Sequence, residues 1–487
     1  MAQEIQLHTT TPPPPPPPLQ QSPPQPPPPS TSPATKPKPK TLTLLPLVFI
    51  IYFQVSGGPY GAEDTVHAAG PLLSLVGFLL LPFLCSLPEA LITSELTSAF
   101  SSSNSGFVLW ALHAFNSPFT ASFTGFLKLL SSTINSATFP NLCSDYLSST
   151  FPSLRAGVHR SIFITLLILL LSFINFTGLD VVGYFAIAIG IISLLPFVLM
   201  TFIATPAVVP ARWTAVKKKI DWGLYLNTLF WNLNYWDNAS TLAGEVQDPQ
   251  RTFPAAMLFA GVLTCVSYFV PLLAVTGALS VSDDRWRDGF FADAAGMIGG
   301  KWLKIWTEAG AVLSAIGLYE AQLSSNTFQL LGMAELGLLP KALSKRSKWF
   351  NTPWLSILIS TLITLSISFL SFSHIIASAN FLYNLAMLIE FAAFIRLRVK
   401  FPELKRPYKV PMGTAGVIGM CAVPSVILIF LMVVSGWRVW LLSAGLMFMA
   451  VGLYFCMVFC RSKECFKFST DVSLEVNSVE GRKSQPC

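Results

Sequence analysis

The sequence predicts an all-α membrane protein of about twelve transmembrane helices, in which helices 1 and 6 are discontinuous. Three observations predict it. Of the 487 residues, 52% are hydrophobic and 11% charged, with a mean hydropathy of +0.58. A soluble chain carries about 25% charged residues, so this one must turn apolar surface toward lipid. Apolar windows of about 20 residues, the length that crosses a bilayer as helix, recur along nearly the whole chain. Two of those windows are interrupted at their centres, by "SGGPYG" (56–61) and by "NLNYWDN" (232–238).

The elements follow in order. Residues 1–40 include "TPPPPPPPLQQSPPQPPPPSTSPATKPKPK". Such a segment buries no core and is expected to be a disordered Pro-rich tail with polyproline II character. It has no apolar h-region and so is not a secretory signal. Its proline runs are a weak match to an SH3-like or WW-like partner, and a solvated tail is the preferred reading. Lys36, Lys38 and Lys40 precede the first window and predict a cytoplasmic N-terminus.

Twelve windows then fill a domain at 41–461: roughly 42–69, 71–98, 118–142, 158–178, 181–204, 223–247, 254–279, 302–335, 353–372, 374–397, 415–436 and 438–460. The even count returns the tail at 462–487 to the cytoplasm. "PKALSKRSKW", "RLRVKFPELKRPYKV" and "CRSKECFK" then fall inside, as the positive-inside rule asks. "ARWTAVKKKID" (211–221) is basic yet falls outside, against the rule, and "SVSDDRWRDGFFADAAG" reads as an outer loop. The formal charge of +7 is therefore a topology signal, not a nucleic-acid surface. The eight cysteines form neither a CxxC pair nor a Cys/His cluster, so no metal site or disulfide framework is expected. Asn175-Phe-Thr and Asn238-Ala-Ser fit the glycosylation pattern but lie at or within windows and are discounted.

In hydrocarbon every backbone N–H and C=O must find a partner within the protein, so an unwound segment belongs where it lines a cavity. Ser56, Gly57, Gly58, Tyr60 and Gly61, with Pro59, form the first such segment. The second is polar and aromatic: Trp231, Tyr235 and Trp236 interleave with Asn232, Asn234, Asp237 and Asn238. Windows one and six open two successive sets of five. Paired interruptions at corresponding positions mark a secondary transporter built from inverted repeats.

"VSGGPYGAED", "LPEALITSEL", "FWNLNYWDNASTLAGEVQDPQRTFP", "EAQLSSNTFQLLGMAELGLLP" and "ANFLYNLAMLIEFAAFIRLR" together resemble the plant polyamine uptake transporters of the amino acid–polyamine–organocation superfamily. The resemblance runs in order from Thr41 to about Phe459. It implies a five-plus-five inverted repeat of the leucine-transporter type with two extra C-terminal helices. It also implies uptake of putrescine-, spermidine- or spermine-like cations, no cofactor but the proton as coupling ion, and a plasma-membrane location. Two positions depart from it: the family pattern has a carboxylate where this chain has Asn135, and a glutamate where it has Gln322, two residues after Glu320. A two-residue shift turns a helical side chain by about 200°.

A polyamine asks for carboxylates at its ammonium groups and aromatic faces along its methylenes, and ionisable residues inside spans default to function. Asp237 is read as a ligand and as an N-cap of the restarting helix. Glu320, in span eight with no basic residue on its face nearby, awaits an amine or a proton. Glu308, twelve residues earlier, ranks lower. Tyr383 and Asn380 of span ten face the pathway. Glu245 is read as an inner gate. Lys128 is expected to pair with Glu89 or Glu95, and Glu390 with Arg396 or Arg398. Glu63 and Asp64 are expected to cap the second half of helix 1. The substrate set is thus Ser56, Gly57, Gly58, Tyr60, Gly61, Trp231, Tyr235, Trp236, Asp237, Glu320 and Tyr383, and the coupling and gating set is Glu245, Glu89, Lys128 and Glu390. An amino-acid carrier of the same fold and a non-transporting receptor remain alternatives. An intramembrane enzyme is not supported, since HExxH, a nucleophile elbow and a Cys/His pair are all missing. Nothing in the sequence indicates a channel pore.

Overall fold

The computed structural model describes residues 41–148, 151–370 and 373–469. The Pro-rich head, its SH3/WW expectation, the three N-terminal lysines and most of the C-terminal tail lie outside the described residues.

The first window folds as α1 (Leu44–Val55) and α2 (Glu63–Ala69), separated by the glycine-rich segment. The second folds as α3 (Pro71–Leu81), a π-helical turn at Pro82–Ser86 and α4 (Leu87–Ala99). There follow α5 (Gly106–Phe115), α6 (Pro118–Leu147), α7 (Val158–Thr177) and α8 (Leu179–Ala204). The sixth window is α9 (Trp222–Trp231), a break, and a ten-residue 3₁₀ segment at Trp236–Glu245. The chain then runs through α10 (Pro249–Ala278), α11 (Phe290–Gly299), α12 (Lys301–Glu335), α13 (Trp354–Ile367), α14 (Ser373–Lys400), α15 (Thr414–Val434) and α16 (Trp437–Ser462). Among the described residues there is no strand, only isolated bridges at Leu42–Val246 and Pro340–Phe468. The protein is an all-α, multi-pass membrane protein with discontinuous helices 1 and 6.

Among the described residues, seven helical runs are long and apolar enough to cross a bilayer by length and composition alone. The other five windows fall short for physical reasons: two are broken, α13 is short, and α6 and α12 are polar. Polarity there is tolerable because it is turned inward: Ser131, Ser132, Thr133, Asn135 and Ser136 of α6, and Gln322 through Gln329 of α12, are all buried. Large apolar side chains such as Leu166, Phe202, Leu258, Val426 and Phe448 stay exposed on the outer helices, the side that lipid covers.

Two helices were not expected. α5 and α11 are ten-residue apolar helices lying in what reads as loop, and they mark the two ends of the bundle. At the α5 end, Leu42 N–H donates to Glu245 O and Lys341 N–H to Lys467 O, so both ends of the described chain lie there, as an even number of crossings requires. The basic loop 211–221 lies at the opposite end, and two of its four basic side chains close helix ends. Arg212 donates to Gly277 O and Ala278 O at the close of α10, and Lys217 Nζ donates to His67 O near the close of α2. Cations at helix C-termini meet orphan carbonyls and the negative end of the dipole. Cap demand thus accounts for Arg212 and Lys217, two of the positive charges that the topology rule does not expect there.

Candidate functional site

The first break exists because Gly58 and Gly61 sit at φ +107° and +85°, which side chains rarely allow, and because Gly57 lies under α12. A Cβ on Gly57 would stand 2.7 Å from Leu318 Cδ1. Ending α1 at Val55 frees carbonyls, and α12 supplies donors: Gln322 Nε2 to Gln54 O at 2.9 Å and Ser314 Oγ to Gly57 O at 2.5 Å. Restarting frees N–H groups, and Glu63 Oε2 accepts from Gly61 at 2.7 Å. Glu63 and Asp64 stand in the first turn of α2, where the helix dipole favours acids, but the N–H that Glu63 accepts precedes the helix and neither acid makes a hydrogen-bonded cap. Tyr60 Oη donates to Thr307 O at 3.1 Å.

At the second break, Tyr235 takes the left-handed conformation (φ +69°). Ser86 Oγ, at the end of the π-turn, and Trp236 Nε1 both donate to Leu233 O at 2.9 Å. The N–H groups of Trp236 and Asp237 are taken by Glu89 Oε1 at 2.9 and 3.4 Å. This corrects one expectation: the carboxylate that caps the restart is Glu89 of α4, not Asp237. Asp237 already lies in the first turn, and its side chain points at Lys128.

Lys128 corrects another. Its ammonium pairs with Asp237 Oδ2 and lies 3.5 Å from Glu390 Oε2, not with Glu89 or Glu95. It also lies 3.0 Å from Met387 Sδ, 4.1 Å from the ring centre of Tyr383 and 5.2 Å from that of Phe107. Glu390 therefore faces Lys128 instead of Arg396 or Arg398; Arg396 donates to Ala114 O, and Arg398 pairs with Glu95 together with Arg406 at 3.1 Å. The reason is register: Glu390 and Met387 share the inward face of α14, while the arginines belong to its last turns at the α5 end. Tyr383 Oη contacts both Glu89 Oε1 and Asp237 Oδ1 and accepts Tyr235 N–H at 2.8 Å.

Glu320 is not brought to this centre. It is buried on the α7 side of α12, where Asn175 Nδ2 donates to Oε2 at 2.9 Å. Gln322, turned to another face, meets the site: its Oε1 accepts from Ser132 Oγ at 2.5 Å and from Asn238 Nδ2 at 3.1 Å. Glu308 lies toward the α11 end with Lys304, at 3.9 Å. Asn380 is buried on α14, one residue after Ala379, whose carbonyl accepts from Ser131 Oγ. At the α5 end Glu245 holds Arg346 (2.5 Å) and accepts from Asn104 Nδ2 (2.8 Å), closing that side.

A central chamber between the breaks is lined by Ser56, Gly57, Tyr60, Asn135, Trp231 and Tyr235, among others, and holds about 20 Å³, space for about one water centre. Trp231 Nε1 donates to Asn135 Oδ1 at 3.0 Å, so Asn135 is a wall of the chamber. Through Tyr60, Tyr146 and Trp231 the chamber leads to a vestibule of about 300 Å³ at the α11 end. Glu63, Asp288, Asp293 and Glu308 line that vestibule, with Arg285, Arg287 and Lys304. Burial pushes the Asp288 carboxyl up to about 6, and the neighbouring acids Asp64 and Asp145 add to the effect. The site is thus closed at the α5 end and approached from the α11 end. Sequence reasoning gave no sign of Gln322 and Asn135 as wall residues beyond their departure from the family pattern. Asn104, Arg346, Ser86, Phe107 and Met387 carried no signal.

Comparison with known proteins agrees with the architecture. Residues 42–457 match the family described as amino acid permease. The "Polyamine transporter RMV1" of Arabidopsis thaliana is 45% identical over 449 residues, 91% of each chain. The "Polyamine transporter PUT1" of Oryza sativa subsp. japonica is 45% identical over 436 residues, 89% of this chain and 82% of its own.

Proposed function

The chain belongs to the amino acid permease family and, within it, to the plant polyamine transporters, and from that premise we propose that it takes up polyamines by proton-coupled alternating access. It is a transporter and not an enzyme. The single observation that carries the substrate class is the setting of Lys128: a primary alkylammonium held by Asp237 and Glu390 against the rings of Tyr383 and Phe107. The same groups suit an ammonium on a flexible methylene chain, whose cation–π contacts contribute about 0.5–2 kcal/mol per ring. Around Lys128 stand three carboxylates, Glu89, Asp237 and Glu390, against one cation, which favours recruiting further positive charge.

In this mechanism the cation enters the acidic vestibule at the α11 end, the outer one, and passes Tyr60 into the chamber. Trp231 and Tyr235 pack on its methylenes, and an ammonium competes with Lys128 for Asp237. The Glu245–Arg346 and Glu95–Arg398 pairs then part to open the α5 end, the cytoplasmic one. An inside-negative potential contributes about 2.3 kcal/mol per charge per 100 mV, so a polycation is drawn inward. The plasma membrane is the proposed location.

Radiolabelled spermidine uptake in uptake-deficient cells, at two external pH values, tests the proposal. Acid-stimulated uptake that putrescine and spermine inhibit is expected. Uptake that lysine or leucine inhibits better than spermidine would give an amino-acid carrier instead, and a surface-expressed chain with binding but no flux would be a receptor.

A further inference from the structure

The Glu89–Tyr383–Asp237 contacts raise a question of proton count. A phenolic hydroxyl has one proton to donate and two lone pairs, and an ionised carboxylate only accepts. Tyr383 Oη already accepts Tyr235 N–H at 2.8 Å. Its single proton satisfies one of its two carboxylate neighbours, Glu89 Oε1 or Asp237 Oδ1, the latter at 2.9 Å. The remaining contact is a full hydrogen bond only when that carboxyl carries a proton and donates to the second lone pair.

The charges around it point the same way. Glu89 on α4, Asp237 on the 3₁₀ segment and Glu390 on α14 are all buried, with Lys128 of α6 the cation among them. Buried charge without a counter-charge neutralises itself by taking or losing a proton. Among the described residues the other packed elements bring no further charge to the centre, and the arginines of α16, Arg438 and Arg461, belong to its two end turns. α1, α9 and α15 contain no charged residue, α5 only His113, α10 only Arg251 at its first turn, and α12 reaches the centre through the neutral Gln322. Cys85 lies one turn before Glu89, and Tyr268 is held on Asn232.

We propose that Glu89 and Asp237 share one exchangeable proton through Tyr383, and that this triad is where the coupling proton is carried. This deepens the coupled-uptake reading and rests on it. Transfer needs no other reactant: one carboxyl gives its proton to the Tyr383 oxygen while the Tyr383 proton passes to the other carboxylate. The O–H bonds made equal those broken. Tyr235 stands between triad and chamber, lining the chamber while its ring centre lies 4.4 Å from that of Tyr383. A substrate ammonium that reaches Asp237 past Tyr235 fixes the proton on Glu89, so cargo and proton are sensed by one hydroxyl.

Infrared pH-difference spectra of the purified full chain, with uptake measured against pH, test this. A carboxylic-acid C=O band is expected in the wild type. It is lost in Glu89→Gln, whose amide oxygen still accepts the Trp236 N–H, and shifted in Tyr383→Phe, which keeps every carboxylate. Glu89→Gln also loses the acid stimulation of uptake. The proposal is overturned by a band unchanged in both variants, or by a wild-type pH profile in Glu89→Gln. Should Glu89→Gln fail to fold, an unshifted band in Tyr383→Phe overturns it alone. Wild-type chain that carries no polyamine sinks the transport reading, while the infrared comparison still decides whether the triad holds a proton.

Discussion

The two breaks meet at one chamber and solve the same backbone problem with opposite materials. At the first, glycines let the chain turn and α12 approach, and the freed carbonyls go to neutral donors, Gln322 and Ser314. Its restart carries Glu63 and Asp64 in the first turn, and Glu63 accepts the Gly61 N–H two residues back. At the second, aromatic and amide residues do the turning, and the restart is capped by Glu89, 147 residues away. A helix end exposes carbonyls and wants donors, while a helix start exposes N–H groups and wants a carboxylate. Both breaks obey that rule. The difference is where the partner comes from: the second break is tied to α4, α6 and α14 by charge, so it alone can report the charge of its contents to the surrounding helices.

The largest effect that sharpens this contrast is expected from Asp237→Asn. Removing one partner of a buried ion pair costs about 3–5 kcal/mol. Thermal melting in detergent should fall strongly and uptake should vanish. The double variant Lys128→Gln/Asp237→Asn should regain most of the melting temperature without regaining uptake. Recovery of transport in the double variant would show that the pair is structural only.

Next comes Gly57→Ala at the neutral break, where the new methyl meets Leu318 and Ser314. Overpacking of this kind costs about 1–3 kcal/mol. Uptake should fall further than stability, because the segment must move against α12. A variant that transports normally would mean that the first break does not move in the cycle.

Gln322→Ala removes the donor to Gln54 O and the acceptor from Asn238, joining the two breaks' environments. An orphaned buried partner costs about 1–3 kcal/mol, seen as a lower melting temperature and weaker spermidine competition. By contrast Glu320→Gln, on the α7 side, should leave polyamine competition constants within about twofold, since an isosteric change there touches neither break. A change of tenfold or more would bring Glu320 back into the substrate site.

The smallest effect concerns the approach to the site. Asp288, with its carboxyl near 6, is anionic above that pH and becomes neutral below it. Acidification therefore weakens the vestibule's attraction for cations, opposite in sign to proton coupling at the triad. The apparent KM for spermidine should rise about twofold to threefold below pH 6 in the wild type and stay flat in Asp288→Asn. A flat wild-type KM would remove Asp288 from the entry path.

The sequence by itself determined the membrane class, the order of the windows, the positions of both breaks and the acids Glu63 and Asp64 at the start of α2. Those depend on hydropathy, on glycine and proline, and on residues a few places apart. It also marked Asp237, Glu89, Lys128 and Glu390 as costly enough to need partners. The tertiary structure alone decided which partner each one has. Lys128 meets Asp237 and Glu390 because α6, the 3₁₀ segment and α14 converge there, and Glu89 caps a helix start that is remote in sequence. It decided, too, which of the two opposed faces of α12 meets the centre, that of Gln322 and not that of Glu320. α5 and α11 were illegible because ten apolar residues hold a helix only when packed. Charge demand is written in the chain, but its satisfaction is a long-range geometric fact, fixed by which helix faces meet when the bundle closes.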